Sequence, residues 1–408
     1  MKYLFVHQNY PGQFLHIVRH LVAQKRHDVV FISEPNQNHI EGVRKVVYKP
    51  TRTPLPDIHR SAQEFEGAML RAEAVAVAAE TIKKLGYTPD IVIGHHGWGE
   101  LLNLRDVWPG VPVLGYFEFY YRLANSDVDF DPEFAMPSWD FPRVRAKNGI
   151  NLLALELNGR GQTPTKFQHS TYPEWARKQI SLLEEGANLD ICKPDPAARR
   201  APFTLGDITV SPKEKLVTYV VRDLEPYRGF HVMMRALPHL LKARRDVRVI
   251  LIGGDSVSYG AHPPNGGTWK QLMLNELGDA IDLKRVHFPG RVAYEDFVRL
   301  LQRSDAHVYL SYPFVASWSL REALAMGCAV VGSDTPTVTE FIADGRNGVL
   351  VPFLEPKKIA QGIEAVLEDG ALNKRIRTAA RAFAEKHLDL KVYLQNYEAL
   401  IEAVAKGG

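Results

Sequence analysis

Short apolar runs alternate with amphipathic stretches along the chain, in two successive series. Apolar runs bounded by turns are typical of strands buried in a parallel sheet, and apolar residues three or four positions apart are typical of helices packed on it. The first series predicts strands at residues 3–7, 28–33, 44–49, 89–94 and 111–117, and the second at residues 215–221, 247–252, 286–288, 305–310 and 328–332. Helices are predicted at residues 14–25, 61–85, 141–158, 356–368, 371–387 and 390–406. This alternation predicts two α/β domains with doubly wound sheets.

A segment rich in Pro, Ala, Asp and Arg separates the two series, and such a composition favours a linker. A chain of 408 residues is long for one core and is expected to form two domains of roughly 200 residues. The predicted parts are an N-terminal domain at 1–186, a linker at 187–213, a C-terminal domain at 214–387, and a final helix at 388–408 that packs back toward the N-terminal domain. Weaker patterns predict short strands near residues 165–168 and 179–183.

Composition and charge exclude several classes of protein. The chain is 45% hydrophobic and 24% charged, and its net charge of +3 gives no basis for nucleic-acid binding. No apolar run approaches the roughly 18 residues that a membrane span needs, and Met1 leads directly into a strand instead of a signal peptide. The two cysteines, Cys192 and Cys328, lie far apart and lack metal-ligand spacing, which favours a reduced, cytoplasmic setting.

Three aspartates alternate in a DxDxD pattern at Asp127, Asp129 and Asp131. Carboxylates at this spacing can hold a hard cation. The run lacks the glycine and the terminal glutamate of a calcium loop. We therefore interpret it as a solvated loop and predict no metal site.

Residues 308–342 contain the densest group of candidate residues. The pattern predicts a strand, a helix whose start is marked by Ser317 and Ser319 and whose end is marked by Gly327, and then a second strand and helix. Glu322 is the one carboxylate in the opening turns of the first helix. Open α/β sheets bind ligands at the carboxyl ends of their strands, so this segment is expected to line a binding site.

Two arginines frame the turn after the strand at residues 215–221. Arg222 and Arg228 lie there, and guanidinium groups together with free backbone N–H groups suit a diphosphate. Two surface arginines beside acidic neighbours are the alternative. Gly253, at the end of the next strand, is assigned to the same binding site.

Polar residues also follow three strands of the first series. Gly12 lies in the turn after the first strand, which suits an anion or a sugar hydroxyl as well as a plain tight connection. His95 and His96 follow the strand at residues 89–94 and precede glycines, a placement that favours a function over a structural role. Glu118 lies in an aromatic-rich loop that either stacks on a sugar or packs into the core.

The pattern PG…SDA…VYLS…EALAxGxxVVxSD…EFI…GxxGxLV at residues 289–351 resembles the retaining, nucleotide-sugar-dependent glycosyltransferases of family four. The stretches HQNYPGQF, PDIVIGHHGWGE and RDLEPYRGF extend the likeness over the whole chain, and they resemble a bacterial subgroup associated with surface-polysaccharide assembly. The resemblance implies the GT-B fold, in which two Rossmann-like, doubly wound domains have the donor cleft between them.

The resemblance also implies a role for each candidate residue. Arg222 and Arg228 match the family's Arg and Lys that grip the donor diphosphate, with an arginine in place of the lysine and a spacing one residue longer. His95 matches the histidine beside the reacting sugar, and His96 is the substitute if the register slips by one. The remaining implied contacts are Glu322 with the donor ribose, Ser319 and Leu320 with the phosphates, Val292 with the base, and Gly12 with the diphosphate.

One position departs from the family pattern. Phe314 stands where the family's E-x7-E motif has its first glutamate, which contacts the donor sugar's hydroxyls. The exchange removes a charge-assisted hydrogen bond worth about 1.5–3 kcal/mol. Either the donor sugar is held differently, with Ser317 contributing, or it lacks the usual hydroxyl pattern.

The resulting hypothesis is a metal-independent, hexosyltransferase-type enzyme without a cofactor. It moves a sugar from a nucleotide sugar to a glycan, lipid-linked or small-molecule acceptor, in the cytoplasm or at the inner face of the membrane. Arg143, Arg145 and Lys147 could contact such a membrane, although a solvated helix face explains them equally well. The alternatives are a non-catalytic binder of nucleotide sugars or glycans with the same fold, motivated by Phe314, and a nucleotide-sugar epimerase.

Overall fold

The computed structural model describes residues 1–158 and 160–407. They divide into two compact units, the first formed by residues 1–185 with 391–408 and the second by residues 186–390. Each unit contains a parallel β-sheet with helices packed on it. The prediction of two α/β domains with parallel sheets is confirmed.

The first unit is built on a seven-stranded parallel sheet. Its strands are β1 (Lys2–Val6), β2 (Asp28–Ser33), β3 (Val43–Val47), β4 (Ile91–His95), β5 (Val113–Tyr116), β6 (Gly161–Thr163) and β7 (Ile180–Leu182). They lie in the order β3-β2-β1-β4-β5-β6-β7. The helices are α1 (Leu15–Ala23), α2 (Gln63–Lys84), α3 (Leu104–Val107), α4 (Phe141–Asn158), α5 (Lys166–Thr171) and α6 (Glu174–Arg177). The strand order reverses between β1 and β4, which is the place where such sheets bind ligands.

The second unit has a six-stranded parallel sheet and a hairpin. The hairpin strands are β8 (Phe203–Leu205) and β9 (Ile208–Val210), and the sheet strands are β10 (Lys215–Asp223), β11 (Val247–Gly254), β12 (Val286–Gly290), β13 (Ala306–Tyr309), β14 (Val330–Ser333) and β15 (Val349–Val351). The sheet order is β12-β11-β10-β13-β14-β15. The helices are α7 (Phe230–Ala243), α8 (Trp269–Leu277), α9 (Tyr294–Arg303), α10 (Trp318–Ala325), α11 (Pro336–Thr339), α12 (Pro356–Glu368) and α13 (Gly370–His387). Here the order reverses between β10 and β13.

The last helix, α14 (Leu390–Ala405), packs on the first unit from residue 391 onward. Gln162 donates a hydrogen bond to the hydroxyl of Tyr397. Glu398 lies 3.1 Å from the Nε2 of His20 and accepts a hydrogen bond from Gln24 at 3.0 Å. Tyr397 is fully buried, so this helix is part of the first unit's core.

The segment at residues 187–213, predicted as a linker, contains the β8–β9 hairpin. Phe203, Leu205, Ile208 and Val210 of this hairpin are buried in the main apolar cluster of the second unit. Burying these side chains stabilises the second unit, so the hairpin is part of that unit's core.

One strand prediction is wrong. Residues 165–168, predicted as a strand, begin helix α5, and β6 ends just before them. The Thr165 hydroxyl accepts the backbone N–H of Gln168 at 3.0 Å, and this N-cap favours a helix over an extended chain.

The solvated-loop interpretation holds for Asp129, which is exposed, and is wrong for the other two aspartates. Asp127 and Asp131 are buried. Asp129 accepts the backbone N–H groups of Asn125 and Ser126, at 2.9 and 3.1 Å, and Asp131 accepts that of Glu133 at 3.0 Å. These carboxylates hold the turn together.

Two of the three basic residues of α4 have partners within the first unit, and the third, Arg145, is exposed. Arg143 donates to Asp140 at 2.9 Å and to Glu64 at 2.6 Å, and Lys147 lies 3.9 Å from Glu64. These ion pairs favour the solvated helix face over an anionic membrane as the explanation of this cluster. Among the described residues, no helix combines the length and the apolar character needed to cross a bilayer.

Candidate active site

Three strands of the first unit bring polar side chains together at their carboxyl ends. His7 follows β1, His95 ends β4 and Glu118 follows β5, and these strands are neighbours in the sheet. The Nε2 of His95 lies 3.5 Å from the Glu118 carboxylate, a charge contact longer than an ordinary hydrogen bond. The His7 and His95 rings meet edge to face, with their centroids 5.4 Å apart. We call His7, His95 and Glu118 the histidine–carboxylate group.

The His95 ring is fixed by its own loop. Its Nδ1 accepts the backbone N–H of Gly97 at 2.9 Å, so the neutral ring carries its proton on Nε2, the nitrogen nearest Glu118. Tyr116 and Trp98 stack on it with centroids 5.4 and 6.1 Å away, and only 2% of the residue is exposed. A Cβ on Gly97 would lie 2.7 Å from the ring, so this position needs glycine.

Burial and mutual charge set the protonation of the group. Burial, together with the nearby charge of His95, lowers the pKa of His7 to about 3, so His7 is neutral at physiological pH. Burial alone would raise the pKa of Glu118, but contact with His95 outweighs it and the net pKa is lowered. The group therefore presents an ionised carboxylate beside two imidazoles.

The glycine turn after β1 packs against this group. Gly12 has a left-handed φ of +54°, and a Cβ there would approach the His7 ring to 3.0 Å. The next residue, Gln13, donates from its side chain to Glu118 at 3.3 Å. The structure thus brings Gly12, His95 and Glu118 together as predicted residues of one site, and it adds His7, which sequence analysis overlooked.

His96 lies outside this group. It is fully buried, and its ring packs 4.7 Å from that of Phe117, in the space left by Gly115. Burial lowers the pKa of His96 to about 3, and neither ring nitrogen has a hydrogen-bond partner among the described residues. The substrate contact predicted for His96 has no side-chain atom available for it, because the ring is enclosed by the core.

In the second unit, the turn after β10 holds the two predicted arginines in different states. Arg228 is buried, with 5% of the residue exposed. It donates hydrogen bonds to the Ser311 hydroxyl and the Val315 carbonyl, both at 2.9 Å. Arg222 is exposed and has no ion pair among the residues that the structure describes. Arg228 is thus held by uncharged oxygens, and Arg222 projects free of any carboxylate.

A buried carboxylate next to these arginines ties down the Gly/Pro-rich loop that follows β11. Glu225 accepts the backbone N–H groups of Ser258, Tyr259 and Gly260, at 3.1, 3.1 and 2.9 Å. Tyr259 in turn lies over the Arg228 guanidinium, 5.0 Å from its centre. Burial raises the pKa of Glu225, with the three N–H groups opposing it. Glu225 was not predicted as a site residue, because its partners lie on a loop that is distant in the sequence.

Glu322 has protein partners in the second unit. Its carboxylate accepts the Tyr294 hydroxyl at 2.7 Å and lies 3.9 Å from the Cys192 sulfur. Burial raises the pKa of Glu322 to about 6 against the opposing effect of these two hydrogen bonds. Any ribose contact would therefore be made by a carboxylate that Tyr294 already orients.

The start of α10 is as the sequence predicts. The Ser317 side chain accepts the backbone N–H of Ser319 at 3.3 Å, and the two hydroxyls lie 3.0 Å apart. Gly327, with a φ of +62°, follows the end of the helix. The Leu320 side chain is fully buried, so only its backbone N–H could approach a phosphate.

Two further predicted contacts have local packing roles. A Cβ on Gly253 would lie 2.9 Å from the Leu224 side chain, so the glycine lets β11 and the β10 turn approach closely. Val292 follows β12 and packs, partly exposed, against the apolar core of the second unit.

Phe314 lies in an aromatic cluster near Arg228. Its ring meets Tyr227 and Tyr259 edge to face at 5.4 and 5.2 Å, and its backbone N–H and carbonyl both bond the Thr337 hydroxyl. It is 6% exposed. Phe314 thus replaces the expected carboxylate with an apolar wall.

The comparisons with known proteins identify the family. The model described as Glycosyl transferase family 4 group matches residues 25–192, and that described as Glycosyl transferases group 1 matches residues 205–383. A D-inositol 3-phosphate glycosyltransferase of Corynebacterium efficiens is 30% identical over 320 residues, covering 76% of this chain and 70% of that relative. The chain belongs to the glycosyl transferases group 1 family. The resemblance to the glycosyltransferases of family four and group 1 is thereby confirmed.

This group 1 glycosyl transferase also aligns with more distant proteins. An uncharacterized glycosyltransferase of Methanocaldococcus jannaschii is 26% identical over 191 residues, which cover 47% of this chain and 46% of that relative, about half of its length. The solved structure of the Anabaena protein HepE in complex with UDP and glucose has a TM-score of 0.71 at 19% identity, covering 99% of this chain and 100% of that one. At this identity the likeness establishes the GT-B fold.

Proposed function

We propose that this group 1 glycosyl transferase moves a sugar from a nucleotide-diphosphate donor to an acceptor hydroxyl, with retention at the anomeric carbon and without a metal ion. The observation that carries the proposal is the β10–α7 turn, where Arg228 is held by two neutral oxygens and Arg222 is left without a carboxylate. Two guanidinium groups with no carboxylate of the described residues hydrogen-bonded to either of them suit a diphosphate that gains negative charge as it departs.

The reaction needs little acid–base chemistry from the protein in this proposal. The bond between the anomeric carbon and the diphosphate oxygen breaks, and the arginines stabilise the charge on the leaving diphosphate. The acceptor hydroxyl attacks the face from which the diphosphate departs, where a departing phosphate oxygen can take its proton. Glu322, oriented by Tyr294, is assigned to the donor ribose, and the N–H groups at the start of α10 are assigned to the phosphates.

The histidine–carboxylate group is assigned to the hydroxyls of the transferred sugar or of the acceptor. Its carboxylate and imidazoles offer hydrogen-bond acceptors and donors without excess positive charge, so it suits neutral, hydrogen-bonding ligands. The Corynebacterium relative is named for inositol phosphate and HepE was solved with UDP-glucose, so a hexosyl donor with a uridine base and a polyol acceptor are the first candidates to test.

A panel of nucleotide sugars tests the proposal. A donor should raise the melting temperature, because a ligand bound only by the folded state stabilises it by mass action. The same donor should then be consumed, either by transfer to a polyol acceptor or by slow hydrolysis. Stabilisation without any turnover would support instead a non-catalytic nucleotide-sugar binder, the reading that Phe314 favours. If no nucleotide sugar stabilises the protein, the donor assignment is wrong.

A further inference from the structure

A cavity lies in the second unit, away from the turn that holds Arg222 and Arg228. Its volume is about 630 Å³, and Lys215, Asp305 and Gly327 line it together with one side of α13. Lys215 begins β10, whereas Arg222 lies near the other end of the same strand. At about 3.3 Å per residue, the cavity is roughly 23 Å along the strand from Arg222. It therefore opens at the amino-terminal edge of the sheet.

The charged groups that line this cavity are mainly positive. The cations are Arg199, Lys215, Lys374, Arg377 and Arg381, and the carboxylates are Asp195, Asp305 and Glu385. Pro194, Val366, Leu367 and Ala382 supply apolar wall between them.

Each of the three carboxylates already accepts a hydrogen bond from another group of the protein. Asp305 accepts Arg303 at 2.7 Å and the backbone N–H of Leu216 at 2.9 Å. Glu385 accepts Arg381 at 2.7 Å, and Asp195 accepts the backbone N–H of Ala197 at 2.8 Å. Two of the three are thus paired with arginines, which leaves Asp195, in the part of the chain that the structure describes, as the one lining carboxylate without an arginine partner beside the remaining four cations.

Those four cations have no ion pair among the described residues. Arg377 donates to the Ser304 carbonyl at 2.9 Å, and no hydrogen bond to a carboxylate is found for Arg199, Lys215 or Lys374 within residues 1–158 and 160–407. Burial lowers the pKa of Arg377, and the like charge of Arg199 adds to this, while Cys328 and Asp305 oppose it. Crowded positive charge of this kind is relieved when an anion binds.

We propose that this cavity binds a small molecule carrying two or more phosphate groups, at a site separate from that of the donor. Arg199 and Arg377 would take phosphate oxygens with their guanidinium forks, and Lys215 and Lys374 would add point charges. The apolar wall leaves room for a carbon skeleton that joins the phosphates. The proposal concerns a second site and does not depend on the transfer reaction.

Calorimetry with pyrophosphate tests this site on the full chain. The background is the Arg222→Ala variant, in which the candidate donor site has lost its exposed arginine. We expect one pyrophosphate to bind this variant and the affinity to fall with rising salt. Adding Arg199→Ala should weaken binding about tenfold or more, because it removes a charge-assisted contact. Lys374→Ala, an exposed position, should weaken it to a lesser extent.

Arg200→Ala is the matched control, because Arg200 is the exposed neighbour of Arg199 and does not line the cavity. It should bind pyrophosphate as tightly as the Arg222→Ala background. Circular dichroism and melting temperature show which variants are folded, and Lys374→Ala keeps the test valid if Arg199→Ala misfolds. Equal affinity in all variants, or no binding in the Arg222→Ala background, would overturn the proposal.

Discussion

The histidine–carboxylate group of the first unit and the arginine turn of the second unit are built in opposite ways. In the first, Glu118 and His95 partner each other, with His95 buried and Glu118 partly exposed. In the second, Arg222 has no ion pair among the described residues, and Arg228 donates to neutral oxygens and lies against the Tyr259 ring. A group that carries an ionised carboxylate suits hydroxyls, and guanidinium groups without a carboxylate partner suit an anion. This difference supports the proposed assignment of the phosphates to the second unit.

The largest effect is expected from removing the arginines. Arg222→Ala and Arg228→Ala should each lower the transfer rate by about 10²–10³-fold, the cost typical of losing one group that stabilises developing negative charge. Steady-state rates measure this, with Arg200→Ala as the control. An unchanged rate in either variant would contradict the assignment of that arginine to the donor diphosphate.

The same two variants should differ in stability. Arg228→Ala leaves the Ser311 hydroxyl and the Val315 carbonyl without their donor, so its free energy of unfolding should fall by about 1–3 kcal/mol. Arg222 is exposed, so Arg222→Ala should change the free energy of unfolding by less than about 0.5 kcal/mol. Urea unfolding measures both free energies. Equal losses in the two variants would contradict the difference between the buried Arg228 and the exposed Arg222.

The next effect concerns the histidine–carboxylate group. His95→Ala should lower the transfer rate by about 10²-fold and leave the affinity for UDP unchanged, because the nucleotide is assigned to the second unit. Rate and UDP affinity are measured on the same preparation. His39→Ala, an exposed histidine elsewhere in the first unit, is the control. A parallel loss of UDP affinity in His95→Ala would break the division of labour between the two groups.

A smaller effect follows from the raised pKa of Glu322. Because burial raises this pKa to about 6, acidification from pH 7 to pH 5 protonates the carboxylate that would accept the ribose hydroxyls. UDP affinity should fall about tenfold over this range through the protein group. Glu322→Gln lacks that titration, so the difference between its pH profile and that of the wild type isolates it from the titration of UDP. Parallel profiles would count against Glu322 as the ribose ligand.

The last effect is a pH dependence of stability at His7. The pKa of His7 is lowered from 6.5 to about 3 in the folded chain, so the unfolded chain takes up a proton first as the pH falls. The stability present above pH 6.5 is therefore lost progressively toward pH 3, with a slope of up to about 1.4 kcal/mol per pH unit. His7→Gln should flatten the profile by this amount, measured by urea unfolding between pH 7 and 5. His39→Gln is the matched control, and identical slopes in the wild type and His7→Gln would contradict the burial argument.

Local chemistry made much of the fold predictable from the sequence. The α10 boundaries follow from Ser317 as a cap and Gly327 as a stop, both of which act on residues next to them. The error at residues 165–168 also concerns a local signal. Thr165 caps the helix there, and this role was overlooked because the segment has a weak apolar pattern.

The parts of the site that were overlooked depend on contacts between distant segments. His7 gains its role only because β1 and β4 are neighbours, and Glu225 only because the loop at residues 258–260 folds over it. The Tyr294 contact to Glu322 joins α9 to α10, and neither helix alone indicates it. His96 shows the reverse case: a motif placed it in the site, and packing against Phe117 removed it.

The discontinuity of the first unit has a consequence for how the protein is made. Residues 186–390 are synthesised before most of α14, so the first unit cannot complete its core until the whole second unit has been translated. At about 5–20 residues per second, translating the roughly 200 intervening residues takes about 10–40 s. During that interval the first unit lacks Tyr397, the partner of Gln162, and Glu398, the partner of His20 and Gln24.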